Sequence, residues 1–295
     1  MRVTVTDAEY PDTLVEEELL HAHRIELIRR DNAMTEDEVI ALCQGSDGII
    51  TQYAPITGRV LAALPSVRVV SRYGTGYDNV DVDAATKLGV AVCFVPTYGT
   101  DEVAYHTLSL ILAACREHNQ ASAARWTGAW PPEYAQLPQN PRGLVIGVAG
   151  AGRIGRRVLE LCAPLFAGVF WYDPYLPTTV GLPGGRCGTL TELAAVSNVL
   201  TLHLPLNQST TDVVDGQLLA ALKAPRYLVN ASRAGVVTPA DLAAALEDGT
   251  LRAAGLDVVD PGPSGERIFA SPRATITSHS AWASPAAQDD CRAKA

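Results

Sequence analysis

The residues with the most specific chemical meaning form a glycine-rich turn after an apolar run. Residues 144–155 read LVIGVAGAGRIG, and a helical apolar pattern follows them. In this strand–turn–helix context Gly150 permits a tight turn, Gly152 lets a ligand approach the backbone, and Gly155 lets the helix pack on the strand. The N–H groups at the helix start, at Arg153 and Ile154, would face phosphates. The pattern predicts dinucleotide binding; a glycine turn that binds nothing is the alternative.

A carboxylate marks the end of the next apolar run. The run GVFWYD ends at Asp173, about twenty residues beyond the glycine turn, where an acid can bond both ribose hydroxyls of an adenosine. The same negative charge repels a 2′-phosphate. The sequence therefore favours NAD(H) over NADP(H) as the dinucleotide.

A second turn has the composition of a small anion site. Residues 71–81 read SRYGTGYDNVD and place Gly74 and Gly76 directly after an apolar run. Consecutive backbone N–H groups in such a turn can surround an anion, and a substrate carboxylate would fit there. An ordinary strand-to-helix turn explains these residues equally well.

Four polar residues follow apolar runs in the second half of the chain. Arg233 lies in YLVNASRAGVV, where a guanidinium could grip a carboxylate and polarise a carbonyl. His203 and His279 each follow a run, but a single histidine at such a position is more often structural than catalytic. Asp257 follows the apolar residues AAGL in AAGLDVV and could bond the carboxamide of a nicotinamide or cap the following loop.

Composition excludes several classes of protein. The chain has 295 residues, 47% of them hydrophobic, and a formal net charge of -9, so no basic surface for nucleic acid is expected. The six cysteines are scattered without C-x-x-C spacing, so their positions indicate neither a metal site nor a disulfide framework. No run reaches membrane-spanning length, and the N-terminus lacks the apolar region of a signal peptide, so we expect no membrane partner and a cytoplasmic location.

Alternation of short apolar runs with helical patterns predicts an α/β fold with parallel sheets. The first series predicts strands at residues 3–6, 24–28, 48–51, 67–71 and 90–93. One long helix is predicted over residues 101–124, followed by a segment rich in tryptophan and proline. The second series predicts strands from residue 144, at the run ending in Asp173, and at 199–204, 227–231, 253–258 and 275–277.

Taken together, the polar segments resemble the NAD-dependent D-2-hydroxyacid dehydrogenases. The matching segments are RYGTGYDNVD, VPTYGTDEVA, GVAGAGRIG, HLPLNQST, NASRAGVV, AAGLDVV and SHSAW, and they cover nearly the whole chain in the family's order. The opening TDAEYPD, the segment VPTYGTDEVA and the tryptophan three residues after His279 are most similar to the branch with the C-terminal-binding proteins.

The resemblance implies two domains. A flavodoxin-like substrate-binding domain would comprise residues 1–98 and 285–295, and a Rossmann NAD-binding domain residues 99–284, with the active site in the cleft between them. By analogy, His279 would donate a proton to the carbonyl oxygen of a 2-oxo acid while NADH reduces it, and Arg233 would hold and polarise this substrate. The remaining substrate contacts would come from Tyr73, Gly74, Thr75, Gly76 and Trp282.

The resemblance also implies a set of cofactor contacts and a homodimer. The dimer would form through the NAD-binding domain, with the helix that begins near Asp101 and residues 126–130 as the contact surface. The expected cofactor-binding residues are Thr100, Gly150, Gly152, Arg153, Ile154, Gly155, Asp173, His203, Pro205, Thr210, Ala231, Ser232 and Asp257.

One position departs from the family pattern. The family places a glutamate, the partner of the catalytic histidine, where this chain has Gly262 in DVVDPGP. Without that anion the imidazolium form of His279 is less stable, so reduction of the 2-oxo acid should need a lower pH than in family members that have the glutamate. Asp260 and Glu266 are the nearest acidic substitutes in sequence.

This departure keeps two other functions open. One is an NAD(H)-binding dimeric interaction protein with residual redox activity, and the other is a family member repurposed for a non-redox step. The dehydrogenase is favoured because Arg233 and His279 are both present, and a pure binding protein has no chemical need for that pair.

Overall fold

The computed structural model describes residues 1–29, 33–126, 137–177 and 181–295. The chain forms two compact units. Unit 1 comprises Met1–Gly99 and Ala283–Ala295, and unit 2 comprises Thr100–Trp282.

Unit 1 is built on a five-stranded parallel sheet in which strands alternate with helices. Its strands are β1 (Arg2–Val5), β2 (Glu26–Arg29), β3 (Gly48–Thr51), β4 (Val69–Arg72) and β5 (Ala91–Phe94). Its first helices are α1 (Leu14–Ala22), α2 (Glu36–Leu42), α3 (Gly58–Ala63) and α4 (Val82–Leu88). The strand order is β2-β1-β3-β4-β5, the order of flavodoxin-like sheets.

A helix at the end of the chain completes unit 1. This helix, Pro285–Lys294, presents Arg292, whose Nη2 lies 2.8 Å from a carboxylate oxygen of Glu16 and 2.8 Å from one of Asp12. Glu16 is buried and also accepts a hydrogen bond of 2.8 Å from the hydroxyl of Tyr73. A buried carboxylate needs such partners, because an unpaired charge there costs several kcal/mol (about 3–5).

Unit 2 contains a seven-stranded parallel sheet. Its strands are β6 (Val145–Ala149), β7 (Gly168–Tyr172), β8 (Gly185–Arg186), β9 (Val199–Leu202), β10 (Tyr227–Asn230), β11 (Ala253–Leu256) and β12 (Ala274–Ile276). Its helices are α5 (Thr100–Cys115), α6 (His118–Trp126), α7 (Arg153–Cys162), α8 (Leu190–Val196), α9 (Gly216–Ala221), α10 (Pro239–Glu247) and α11 (Pro263–Ala270); the final helix of unit 1 is α12.

The order of these strands is β12-β11-β10-β9-β6-β7-β8. The direction of winding reverses between β6 and β9, and ligands of open α/β sheets bind at the carboxyl ends of the strands at such a point. All residues of β9, β10 and β11 are buried. Alternate residues serve different cores, with Leu200 and Leu228 on one face of the sheet and Val199 and Val229 on the other. Cover on both faces is what parallel strands require.

The predicted fold class, α/β with parallel sheets, is confirmed. The structure differs from the local predictions at two points. The short edge strand β8 was not predicted, and the helix predicted over residues 101–124 is two helices, α5 and α6. Glu117 separates them with a φ of 52°, and its buried carboxylate pairs with Arg252 and accepts a hydrogen bond from Tyr227. These tertiary contacts override the helical pattern.

Three general features bear on function. In the described residues, no helix combines the length and apolarity that crossing a bilayer requires. All six cysteines are free of disulfides, and five of them are buried. Within the same described ranges, His, Cys, Asp and Glu side chains form no group of three that could hold a metal ion.

Candidate active site

The three glycines of the first turn differ in what surrounds them. Gly150 has a φ of 89°, and a Cβ there would lie 2.5 Å from the main-chain oxygen of His203. A Cβ on Gly155 would overlap the main-chain oxygen of Gly150. At Gly152, in contrast, no atom beyond the adjoining residues lies within 4 Å of the Cβ position. The fold requires two of these glycines, and the third leaves open space at the surface of the turn.

Helix α7 begins at this open space. Its N-cap is Gly152, so no side chain caps the helix, and Arg153 is exposed while Ile154 is partly buried. Uncapped N–H groups and the positive end of the helix dipole favour an anion. The turn and the helix start therefore fit a pyrophosphate.

Asp173 follows β7 and lies beside the turn. One of its oxygens accepts a hydrogen bond of 3.0 Å from the N–H of Ala151, and the other accepts one of 2.9 Å from the N–H of Tyr175. Its carboxylate is thereby fixed at the end of the strand next to the site for phosphate. The glycine turn, the uncapped helix and this carboxylate together fit a dinucleotide.

The loop after β9 lies on the other side of the turn. His203 donates its backbone N–H to Ala149, and its Nε2 lies 3.1 Å from the hydroxyl of Thr201. Burial lowers the pKa of His203 to about 4, so its imidazole is neutral at pH 7. The loop continues through the exposed Pro205, whose carbonyl accepts a bond of 2.6 Å from the hydroxyl of Thr210. The side chains of His203 and Thr210 thus both stabilise the loop.

A buried asparagine holds the turn that follows β10. The Oδ1 of Asn230 accepts hydrogen bonds from the N–H and hydroxyl of Ser232, at 3.0 and 2.8 Å, and its Nδ2 donates to the carbonyl of Arg233. Ala231 and Ser232 are partly buried in this turn. The Nη1 of Arg233 donates to the carbonyl of Ser232 at 2.9 Å. Asn230 was not identified from the sequence. The only signal that could have identified it is an asparagine at a buried position next to an apolar run.

Asp257 caps the loop that carries His279. Its side chain is buried, and its carboxylate accepts hydrogen bonds from the hydroxyl of Thr277 and from the N–H groups of Ser280 and Ala281. The N–H of His279 donates to the main-chain oxygen of Asp257, and His279 has a φ of 52°, which is uncommon for a residue with a side chain. Of the two roles considered for Asp257, capping is the one its contacts perform.

A cavity of about 450 Å³ brings the predicted acid–base residues together at the carboxyl ends of β10, β11 and β12. Arg233, His279 and Asp260 line it, and so does Asp257. Glu266 is exposed and is absent from the lining of this cavity. The remaining lining residues are mostly apolar: Ala234, Val258, Val259, Phe269, Ile276, Thr277 and Ser278.

Gly262 has a backbone that suits glycine alone. Its φ is 124° and its ψ is -179°, and no atom beyond the adjoining residues lies within 4 Å of its Cβ position. A side chain would therefore meet backbone strain but no steric overlap. Gly262 offers no carboxylate to the histidine.

The second glycine turn lies in unit 1. Among the described residues, the N–H groups of Gly74, Thr75 and Gly76 donate to no protein acceptor. The hydroxyl of Thr75 donates to the carbonyl of Val95. Three available N–H groups are compatible with the predicted anion site.

Two buried side chains support this turn. Arg72 is 8% exposed, its Nε donates to the carbonyl of Gln52, and its guanidinium occupies the Cβ position of Gly74. It forms no ion pair in the described part of the chain. Sequence reasoning missed this buried cation, which adds positive charge beside the turn. Tyr73 is buried in unit 1 with its hydroxyl on Glu16, and burial raises the pKa of this tyrosine above its usual range.

Two further predicted residues lie near the limits of unit 2. Thr100 is partly buried as the first residue of α5, and Trp282 is partly buried as the last residue of the unit. Of the predicted dimer surface, Asp101 and the rest of α5 are described, whereas residues 127–130 lie outside the described ranges.

Comparison with known proteins gives concordant matches. The family model "D-isomer specific 2-hydroxyacid dehydrogenase, NAD binding domain" matches residues 108–281. D-3-phosphoglycerate dehydrogenase of Mycobacterium tuberculosis is 36% identical over 256 residues, which are 86% of this chain and 48% of that protein. The chain thus spans about half the length of these curated relatives. A hydroxypyruvate reductase of Blautia hydrogenotrophica is 32% identical over 258 residues, which are 84% of this chain and 79% of that protein.

Solved structures agree with these matches. An NADPH-dependent glyoxylate/hydroxypyruvate reductase of Sinorhizobium meliloti has a TM-score of 0.85 at 27% identity, covering 99% of this chain and 90% of that one. A protein of Thermus thermophilus has a TM-score of 0.86 at 28% identity, covering 99% and 94%. The matched residues include the glycine turn, Asp173, Arg233 and His279, and the chain therefore belongs to the D-isomer specific 2-hydroxyacid dehydrogenase family, with the family's NAD-binding domain in its second unit.

Proposed function

We propose that this protein is an NAD(H)-dependent oxidoreductase that interconverts a small 2-oxo acid and a D-2-hydroxy acid. The observation that carries the proposal is that Arg233 and His279 line one cavity of unit 2, at the carboxyl edge of the sheet whose glycine turn fits a dinucleotide. Family membership supports the same reaction class.

In this reaction His279 serves as the general acid. Its protonated imidazole donates a proton to the carbonyl oxygen of the 2-oxo acid, which becomes the hydroxyl of the product. NADH, when bound, supplies the hydride. Arg233 directs forked N–H donors at the carbonyl and carboxylate oxygens, so it orients the substrate and stabilises the negative charge that develops on oxygen. In the oxidative direction neutral His279 accepts the proton.

Asp173 selects the cofactor in this proposal. Its fixed carboxylate at the end of β7 is placed to accept hydrogen bonds from ribose hydroxyls, and its charge disfavours a 2′-phosphate. NAD(H) is therefore the cofactor rather than NADP(H). Thr100, His203, Pro205, Thr210, Ala231 and Ser232 contribute as walls and loop supports of the same site.

The acidic group available to stabilise the protonated imidazole of His279 differs from the glutamate that the family pattern provides. Gly262 supplies no charge, and Asp260 lines the cavity together with His279 whereas Glu266 does not. Of the two acidic substitutes for the family's glutamate, we therefore favour Asp260 over Glu266. Reduction is expected to prefer lower pH than in an enzyme whose histidine has a glutamate partner.

Turnover of purified protein tests the proposal. NADH oxidation is measured with a panel of 2-oxo acids that carry small, branched, aromatic or phosphorylated side chains. Arg233→Ala and His279→Ala should each lose about 100- to 10,000-fold in kcat/KM on the best substrate. Arg233→Lys and His279→Gln are the matched controls for charge and for shape.

Calorimetric titration with NADH separates the possible outcomes. The variants should bind NADH as the parent does, because neither residue holds the dinucleotide. Full activity of His279→Ala would refute its role as the acid. NADH binding with no turnover on any substrate would instead support an NAD(H)-binding interaction protein.

Two further proposals concern assembly and location. We propose a homodimer in which the exposed side of α5 contributes contacts, and sedimentation equilibrium tests this directly: a monomer mass at micromolar concentration contradicts it. A reducing compartment, the cytoplasm, suits a chain whose six thiols form no disulfide.

A further inference from the structure

His106 connects helix α5 to the loop that carries His279. Its Nε2 lies 2.9 Å from the hydroxyl oxygen of Thr277 and 3.5 Å from Oδ1 of Asp257. The side chain of His106 is 22% exposed and that of Asp257 is 1% exposed. The proposed reaction leaves His106 without a role.

The direction of each hydrogen bond follows from counting protons. Thr277 has one hydroxyl hydrogen, and its oxygen lies 2.6 Å from Oδ1 of Asp257, which as a carboxylate only accepts. Thr277 therefore donates to Asp257. The hydroxyl oxygen must then accept from His106, so Nε2 of His106 carries a hydrogen.

Asp257, which accepts the hydrogen bond from Thr277, also accepts hydrogen bonds from the backbone around His279. Its Oδ1 accepts from the N–H of Ser280 at 2.9 Å, and its Oδ2 accepts from the N–H of Ala281 at 3.0 Å. The main-chain oxygen of Asp257 accepts from the N–H of His279 at 2.9 Å. Asp257 thus accepts hydrogen bonds from His279 itself and from the two residues that follow it.

His279 needs such ties because of its backbone conformation. A residue with a side chain at a φ of 52° persists where its surroundings determine it fully. If the carboxylate of Asp257 rotates, the bonds to Ser280 and Ala281 weaken and the imidazole of His279 shifts in the cavity. Small displacements of a proton donor are costly, and 1 Å can reduce a rate by about 100-fold.

We propose that His106 is a positioning residue, which acts through Thr277 and Asp257 to hold the proton donor His279 in its reactive orientation. The inference rests on the proposed function for its kinetic consequence. Its structural content, the hydrogen on Nε2 and its acceptor Thr277, stands independently of any reaction.

Kinetics of paired variants test the positioning role. His106→Leu removes the donor, whereas His106→Gln retains an N–H near the Nε2 position; Thr277→Val removes the hydroxyl and Thr277→Ser retains it. We expect His106→Leu and Thr277→Val each to lower kcat by about 10- to 100-fold with an unchanged Kd for NADH. His106→Gln and Thr277→Ser should recover most of the rate.

A double variant tests whether the two residues act together. If His106 acts through Thr277, the combination of His106→Leu with Thr277→Val should be no slower than the slower single variant. Multiplied losses would overturn the proposal. Ser109→Ala is the matched control on α5, since Ser109 donates to the main-chain oxygen of His106 and leaves its side chain untouched; its kcat should equal that of the parent.

NMR supplies a readout that needs no turnover. In ¹⁵N-histidine-labelled protein, the imidazole signal missing from His106→Leu should show hydrogen on Nε2, and Thr277→Val should shift it while Ser109→Ala should not. A hydrogen on Nδ1 alone in the parent protein would overturn the inference. If no substrate is turned over, the NMR result still decides the network, so failure of the proposed function and failure of this inference are distinguishable.

Discussion

The main-chain oxygen of Gly150 occupies the position that a Cβ atom on Gly155 would need. The turn and the first helical residues behind it are therefore packed in direct contact. Gly152, between them, has no atom beyond the adjoining residues within 4 Å of its Cβ position. Packing of the turn therefore requires a glycine at position 155, whereas Gly152 leaves space for a ligand.

This difference predicts opposite effects of the same substitution. Gly155→Ala should reduce the free energy of unfolding by about 1–3 kcal/mol, because α7 must move away from the turn. Gly152→Ala should leave thermal stability unchanged but weaken NADH binding by about tenfold or more, since the methyl group enters the space of the pyrophosphate. Denaturant unfolding and calorimetry measure the two effects. Unimpaired NADH binding by Gly152→Ala would argue against this location for the cofactor.

Substitutions of Asp173 can separate the effect of its negative charge from the effect of its hydrogen bonds to the neighbouring loop. Asp173→Asn keeps an acceptor for the N–H of Ala151 but removes the negative charge, whereas Asp173→Ala removes both. We expect both variants to bind NADH more weakly and to discriminate less against NADPH, with the larger loss of stability in Asp173→Ala. The ratio of kcat/KM for the two cofactors is the measurement. An unchanged ratio in both variants would exclude this residue as the selector.

Gly262→Glu tests the consequence of the absent carboxylate. A glutamate there should extend reduction to higher pH by stabilising the imidazolium of His279. Backbone strain at a φ of 124° should also cost about 1–3 kcal/mol of stability. Gly262→Ala carries the same strain without the charge, so the difference between the pH profiles of the two variants isolates the carboxylate. Identical profiles would contradict the electrostatic explanation.

His203 predicts a pH dependence of stability. Burial lowers its pKa in the folded protein to about 4, below the value of about 6.5 for an exposed histidine. Between these values the unfolded chain binds the proton more readily, so stability is complete above pH 6.5 and falls as pH decreases toward 4, by at most about 1.4 kcal/mol per pH unit. His203→Gln should lose stability less steeply across this range, as urea unfolding at several pH values can establish. Parallel curves for the two proteins would show that His203 does not cause the decline.

Local patterns were sufficient to predict every strand of the two sheets except β8, and the glycine turn, because apolar periodicity and glycine spacing act over a few residues. They were insufficient at Glu117, where contacts with Tyr227 and Arg252 end a helix that the periodicity extends. The bond between His106 and Thr277 likewise joins positions 171 residues apart, which no spacing rule relates.

The same limit applies to charge in the candidate site. Arg72 was not among the residues identified from the sequence, and only its burial beside Gly74 marks it as a cation enclosed by the fold. Arg233, His279 and Asp257 were identified by type and position, and capping was one of the two roles expected for Asp257. Asn230, which holds its turn, is recognised only from its hydrogen bonds.

The pairing of Glu16 with Arg292 has a consequence for biosynthesis. These partners are 276 residues apart, and all of unit 2 is synthesised between them. Until the ribosome has added Arg292, Glu16 lacks the cation that compensates its charge in the unit 1 interior, whereas the inserted NAD-binding domain already has its entire sequence. Unit 1 can therefore complete this ion pair only after all of unit 2 has been synthesised.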